Sequence, residues 1–270
     1  MIKQNKTVAA IMAHSDDIDI FAGGTFAKYT GQGYKGLYGV MSRCNSGWTV
    51  TREKGGHYIS SLEIVPQRRK EAEAAAQNYG AELYYGDLLE NCYTTRDKVR
   101  IVPSFQGAVD FNGNLSDADD FPAGTLLAVE AGAGGEEAKT VSIINDIAEL
   151  LIKWQPELVI GQYFANNNPD HFNAALILAK AWQKASKAVK VGPYLIPVIH
   201  QEEGFIFPPL APNRFIDITG YEQKCLDGIA CHKSQGGEFH YTKRITKNWQ
   251  HWGKMNNCAN AEAFYEVQIR

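Results

Sequence analysis

Seven residues, Thr7 to Ala13 (TVAAIMA), form a short apolar run that ends abruptly at a polar cluster, His14-Ser15-Asp16-Asp17. A continuous run of this length, without polar alternation, is the pattern of a strand buried on both faces. Such strands belong to parallel sheets covered by helices on each side. The polar cluster then falls at the strand's carboxyl end, where open α/β sheets bind their ligands. One segment thus narrows the fold class and places the most reactive residues of the chain within it.

The remaining sequence alternates in the same sense. Gly23-Gly24-Thr25 leads into a short helix, and Leu37 to Ser42 reads as a second strand. Pro66 to Tyr79 is alanine-rich with charges at helical spacing; Pro66 suits a first turn and Gly80 a helix stop. Glu82 to Tyr85 is a third strand. Helices are predicted over Glu136 to Lys153, Phe172 to Val189 and Tyr221 to Cys231, and strands over Leu158 to Tyr163, Leu195 to His200 and Arg214 to Ile218. This order predicts an α/β fold with a mostly parallel sheet and helices on both faces. Residues 92 to 136 break the pattern with six glycines, two prolines and the acidic run Asp117, Asp119, Asp120. They read as an inserted loop or hairpin region within one domain spanning 1–270. The stretch after Cys231 is aromatic and mixed, and shows no clear period.

Composition limits the partners. A chain of 270 residues with 44% hydrophobic residues can bury a substantial core. A net charge of -3 offers no basic footprint for nucleic acid or an anionic membrane. No stretch of about 18 apolar residues is present, and the run before His14 is too short for a signal peptide. The five cysteines, Cys44, Cys92, Cys225, Cys231 and Cys258, are odd in number and lack CxxC spacing. Free thiols in a reducing cytoplasm are the expectation. A homo-oligomer is compatible with the sequence.

A second polar cluster, Asn166-Asn167-Asn168-Pro169-Asp170-His171, follows the strand at Leu158 to Tyr163. If both strands are parallel, the two clusters share one sheet edge. Together they bring two histidines and three carboxylates into a small volume. Catalytic zinc takes three protein ligands from such residues and keeps a position for water. A further carboxylate can accept the proton of the attacking water. Aspartates after strands also cap helices, and Asn-Pro-Asp is also an ordinary turn. The chemical reading gains because both clusters stand at strand ends.

At this point the chain resembles a family. AHSDDIDIFAGGT is similar to the AHPDDE…GGT signature of the PIG-L/LmbE-like deacetylases, and NPDHFNAA to their HPDH signature. Arg68-Arg69-Lys70-Glu71, with Ala74 to Ala76 and Gly80, resembles the family's RxxE helix. Lys224 and His232-Lys233-Ser234-Gln235 resemble its late KxxAxxxHxSQ pattern. The matches span about residues 7 to 87 and 156 to 236, outside the 92–136 block and the C-terminal tail. The resemblance implies a Rossmann-like sheet and a zinc-dependent hydrolase that removes an N-acyl group, acetyl in the first instance, from an amino sugar or related polar metabolite. By position it implies His14, Asp17 and His171 as metal ligands, Asp16 as the general base, Asp170 as a carboxylate beside the site, and Arg68 as a substrate-binding residue. His232 is a candidate to line the same site. Ferrous iron could take the same ligands.

Three positions depart from the pattern. Ser15 replaces a proline. Ile18 replaces a glutamate, which removes a polar contact beside the site. Asn168 replaces the first histidine of HPDH, a residue implied to steady the oxyanion or to protonate the leaving amine. Asparagine can donate a hydrogen bond but cannot deliver a proton at neutral pH. Asp16 acting in both directions, His200 or His232 could supply the acid. The alternative expectation is a metal-retaining carbohydrate-binding protein with little turnover. Asp16 argues against it, because binding alone needs no base. Trp48, Tyr163 and Phe164 could stack on a sugar ring, although core packing is the stronger reading.

Overall fold

The computed structural model describes residues 6–44, 47–49, 57–59, 61–88, 93–94, 100–104, 107–110, 115–116, 137–163, 169–199 and 211–267. In chain order the elements begin with β1 (Thr7–Met12), α1 (Asp17–Gly31), β2 (Lys35–Ser42), β3 (Gly47–Thr49), β4 (His57–Ile59), α2 (Ser61–Asn78) and β5 (Glu82–Leu88). Next come β6 (Tyr93–Thr94), β7 (Arg100–Ser104), β8 (Gly107–Asp110) and β9 (Leu115–Ser116). The second half has α3 (Glu137–Trp154), β10 (Leu158–Ile160), α4 (Pro169–Ala188), β11 (Tyr194–Val198), β12 (Arg214–Asp217), α5 (Glu222–Cys231), α6 (Gly237–Met255) and β13 (Ala261–Val267).

Seven strands form the main sheet in the order β12-β13-β11-β10-β1-β2-β5. Of its six pairings four are parallel, and the two that β13 makes, with β11 and β12, are antiparallel. The fold is α/β, as the alternation predicts. Side chains of β1 leave the sheet alternately, so both faces are apolar and both need covering. Val8, Ala10 and Met12 join a core with Phe26, Tyr79, Ile229 and Trp249, which α1, the turn after α2, α5 and α6 supply. Ala9, Ile11 and Ala13 join a second core with Ile147, Leu151, Ile177 and Trp182 from α3 and α4. The unbroken apolar run therefore serves two cores at once.

The chain departs from β1 toward β2 on one side and reaches β10 on the other, with β1 parallel to both. This is the topological switch point, and the loops after β1 and β10 open there side by side. Within the 92–136 region, β6 to β9 pair antiparallel in sequence, with a hairpin formed by β7 and β8. None of the described helices is long and apolar enough to cross a membrane. Cys44, Cys225, Cys231 and Cys258 are free.

Several expected boundaries shift. Helix α2 begins at Ser61, so Pro66 lies inside it and not in its first turn. Pro66 has no N–H to bond back to Leu62, and the helix tolerates that loss near its start. Helix α4 begins at Pro169, so Asp170 and His171 belong to its first turn. The tail that shows no period in the sequence is α6 followed by β13. Helix α6 has an apolar face at helical spacing, since Ile245, Trp249 and Trp252 are buried while Lys243, Arg244 and Gln250 are exposed.

The long reach of that tail shapes α1. Ala22, with φ −151°, breaks the helix into two segments, and Gly24 and Thr25 begin the second with unpaired N–H groups. Glu262 of β13 accepts both, at 2.9 and 2.8 Å, and also the Trp249 Nε1–H at 3.2 Å. Gly24 permits the approach, since a Cβ there would sit 2.5 Å from Ile218 Cδ1. Burial pushes the Glu262 carboxyl above its ordinary value, and the three donors oppose that shift. Replacing Glu262 with Ala strands all three donors and is expected to cost about 2–4 kcal/mol in denaturant unfolding. Glu262→Gln keeps one acceptor and should lose less.

Candidate metal centre

His14, Asp17 and His171 lie together at the switch point, all buried. Their ligand atoms all fall within 4.8 Å of one another. His14 and Asp17 come from the turn that leads from β1 into α1, and His171 from the first turn of α4. The two loops are tied before they reach the cluster. Gln162, fully buried just beyond β10, accepts the Ala13 N–H at 2.8 Å. Asp17 is fixed in turn by the His14 backbone N–H, which donates to its Oδ2 at 2.8 Å.

The donor set fits a divalent cation. His14 Nε2 faces Asp170 Oδ2 at 3.2 Å, a bond that holds the proton on Nε2 and leaves a lone pair on Nδ1. That Nδ1 lies 3.1 Å from Asp17 Oδ2 and 3.2 Å from His171 Nε2. His171 Nε2 also lies 3.2 Å from Asp17 Oδ1. Acceptors pressed together in this way need a proton or a cation between them. Two imidazole nitrogens and a carboxylate are the donors that catalytic zinc takes. Burial alone would raise the Asp17 carboxyl, but His171 and His14 outweigh it and hold the group well below the usual carboxylate range. Asp17 is thus ionised and ready to act as a ligand.

Asp16 is separate from that cluster. It stands at the N-cap of α1 yet makes no capping bond with its side chain. Its Oδ1 accepts the Arg68 guanidinium at 2.9 Å, and the same Nη2 reaches Ser15 Oγ at 3.1 Å. Asp16 is nearly buried and adjacent to a ligand, and among the described residues only Arg68 bonds its side chain. Arg68, expected to meet substrate, is 3% exposed and is committed to Asp16 and Ser15. Asn168, His200 and Phe164, and the side chain of Trp48, lie outside the described residues.

A buried network lies beneath the site. Asp19, fully buried, accepts the Tyr79 hydroxyl, and its Oδ2 lies 3.0 Å from His232 Nε2 and 2.6 Å from the Tyr38 hydroxyl. Tyr38 also lies 2.5 Å from the Ser15 carbonyl, so its single proton links the network to the ligand turn. Gly228 leaves room for this carboxylate, because a Cβ there would fall 2.0 Å from Asp19 Oδ1. The residue after Ile18 thus places a buried carboxylate beneath the ligand turn. Ile18 itself packs in the core. His232 reaches the site through Asp19, since it is 1% exposed and cannot line an open surface. Glu71 accepts the Ser234 N–H at 2.9 Å and its hydroxyl at 2.6 Å. The helix carrying Arg68 is thereby joined to the turn carrying His232.

The sequence model of the PIG-L family, described as GlcNAc-PI de-N-acetylase, matches residues 9–182. The chain belongs to the PIG-L family. Among solved structures it is similar to N,N'-diacetylchitobiose deacetylase from Pyrococcus horikoshii, at 17% identity and TM-score 0.65, over 98% of this chain and 85% of that one. It is similar to a deacetylase of the teicoplanin biosynthesis pathway, at 14% identity and TM-score 0.61, over 98% and 100%. It is also similar to GalB, the 4-carboxy-2-hydroxymuconate hydratase of Pseudomonas putida, at 21% identity and TM-score 0.63, over 98% and 97%. Likeness at this level carries the fold. A hydratase shares it with deacetylases, so the reaction has to be argued from the site. Family membership supports de-N-acetylation as the reaction class.

Burial lowers the His232 pKa, but its bond to Asp19 and the Asp19 charge more than offset this, so the imidazole is raised above its ordinary value. The protonated form is then favoured by folding. This stabilisation is complete below the unfolded histidine value and fades as pH rises through the folded one. Asp19→Asn should lower unfolding free energy by about 3 kcal/mol or more and flatten its decline as pH rises above the unfolded histidine value of about 6.5. Denaturant titrations at several pH values read both effects.

Proposed function

We propose that the protein is a divalent-metal amide hydrolase that removes an N-acyl group, acetyl in the first instance, from an amino sugar or related small polar metabolite of the cytoplasm. The observation that carries this reading is the convergence of His14, Asp17 and His171 beside a carboxylate, Asp16, that lies outside the ligand cluster and makes no capping bond with its side chain. His14 Nδ1, the Asp17 carboxylate and His171 Nε2 would hold the ion. Zinc is the assignment, and ferrous iron suits the same donors. When bound, such an ion polarises the amide carbonyl and makes water a stronger acid.

The protein's own groups have distinct tasks. Arg68 holds Oδ1 of Asp16 at 2.9 Å, which turns the other oxygen toward the reacting water. Asp16 takes that water's proton as the carbonyl is attacked, then returns a proton to the departing amine. Asp170 keeps His14 in the tautomer whose Nδ1 can act as a ligand. We assign Asn168, two residues before Asp170 in the sequence, the hydrogen bond to the developing oxyanion. Its amide can donate that bond but cannot serve as the acid, and this is why Asp16 carries the proton in both directions.

Acetate release from N-acetylglucosamine derivatives, with metal content measured in parallel, tests the assignment. Asp16→Asn is expected to lose at least about 100-fold in turnover while keeping its metal. His171→Ala should lose the metal itself. Asp170→Asn should weaken metal affinity by about 10- to 100-fold. Metal-loaded native protein without turnover on any N-acyl sugar would favour the carbohydrate-binding alternative.

A further inference from the structure

Ser15 stands between the metal ligand His14 and the carboxylate Asp16, and it is fully buried. Each of its three polar groups meets a different side chain. Its backbone N–H donates to Cys44 Sγ at 3.2 Å. Its carbonyl lies 2.5 Å from the Tyr38 hydroxyl. Its Oγ accepts from Arg68 Nη2 at 3.1 Å. Tyr38 belongs to β2 and Cys44 follows that strand, whereas Arg68 comes from α2.

Peptide groups are planar, so fixing the two planes that flank a residue fixes the directions of its neighbours. The Ser15 N–H lies in the plane shared with His14, and the Ser15 carbonyl in the plane shared with Asp16. Cys44 holds the first plane and Tyr38 the second. The Tyr38 hydroxyl also lies 2.6 Å from Asp19 Oδ2, but His232 Nε2 approaches that same oxygen at 3.0 Å, which leaves the Ser15 carbonyl able to compete for the Tyr38 proton. The Cys44 bond needs a backbone N–H at position 15, and a proline there would have none. Cys44 accepts it with a left-handed φ of 54°, a conformation that a residue other than glycine keeps only where its surroundings impose it.

The hydroxyl acts on a different neighbour. Arg68 Nη2 carries two N–H groups, and it reaches Asp16 Oδ1 at 2.9 Å as well as Ser15 Oγ. The second bond sets the angle at which the guanidinium meets the Asp16 carboxylate. We propose that Ser15 is a positioning residue with two separable effects: its peptide groups, gripped by Cys44 and Tyr38, set the metal-binding turn, and its hydroxyl, through Arg68, aims Asp16. The second effect deepens the hydrolase reading and rests on it; the first does not. A buried serine that only satisfied its own bonds would lose stability when replaced, without separating metal binding from turnover.

The test measures zinc affinity, by competition with a chelator, alongside acetate release and unfolding midpoints. Cys44→Ala is expected to weaken zinc binding about tenfold. Cys44→Ser, whose hydroxyl can still accept the Ser15 N–H, should recover part of that loss. Tyr38→Phe should weaken binding as well, and Tyr79→Phe, which takes a donor from Asp19 but none from Ser15, should weaken it less. Ser15→Ala keeps both peptide groups, so it should hold zinc near the native affinity yet lose about tenfold in kcat, with KM little changed. Should Tyr38→Phe fail to fold, the two Cys44 variants carry the zinc arm. If the native protein hydrolyses no N-acyl sugar, the hydrolase reading fails and the zinc arm alone decides. Weakened binding in Cys44→Ala supports the grip, and native affinity there overturns it. With turnover present, native kcat in Ser15→Ala, or a loss of zinc in step with kcat, overturns the task given to the hydroxyl.

Discussion

The parallel pairing of β1 with β10 is the constraint from which the site follows. Val8, Ala9 and Ala10 lie opposite Leu158, Val159 and Ile160, residues about 150 positions away. That register brings the ends of the two strands level, and the Gln162 side chain then ties the Ala13 backbone across the gap. Without it His14 and His171 would stand on unrelated loops. A slip of one residue along either strand would turn its apolar side chains to the wrong core. The two hydrophobic layers therefore police the alignment of the ligands.

Beneath that edge the protein keeps its charges in matched sets. Asp17 is held by two imidazoles, Asp16 by Arg68, Asp19 by two tyrosines and His232, and Glu71 by Ser234. A buried carboxylate is costly unless donors surround it. Here each donor also arrives from a different element. The same bonds that make the charges tolerable fasten α1, α2 and the turn after α5 to one another, so orientation of the ligand turn and stability of the fold have a common origin.

Much of this was legible in the sequence. The apolar run before His14 gave the buried strand, and the alternation gave the sheet and its covering helices. The His14–Asp17 and Asp170–His171 clusters marked the edge where ligands gather, because residue type and strand end coincided there. What escaped reading depends on contacts distant in sequence. Ile18 in place of a glutamate signalled a lost contact; both Ile18 and Asp19 turn inward, and only packing against Tyr38, Tyr79 and Gly228 shows that Asp19 carries a buried carboxylate there. Arg68 and His232 carried motif signals, but a motif does not distinguish a residue that meets the ligand from one that braces its neighbour. The tail after Cys231 holds a helical period at Ile245, Trp249 and Trp252 that sequence reading passed over among its many aromatics, and β13 behind it is an internal strand whose pattern reflects partners on both sides.

The bond between Glu262 and the broken middle of α1 joins positions 238 and 237 residues apart. The first helix of the chain is thus completed by its last strand. During synthesis the chain must emerge as far as Glu262 before Gly24 and Thr25 find their acceptor, and β12 cannot join the sheet until β13 lies between it and β11. Assembly of this topology is dominated by distant contacts and is correspondingly slow. A chain cut short before Ala261 would leave two strands of the sheet unjoined and the helix that presents Asp17 unsecured at its midpoint.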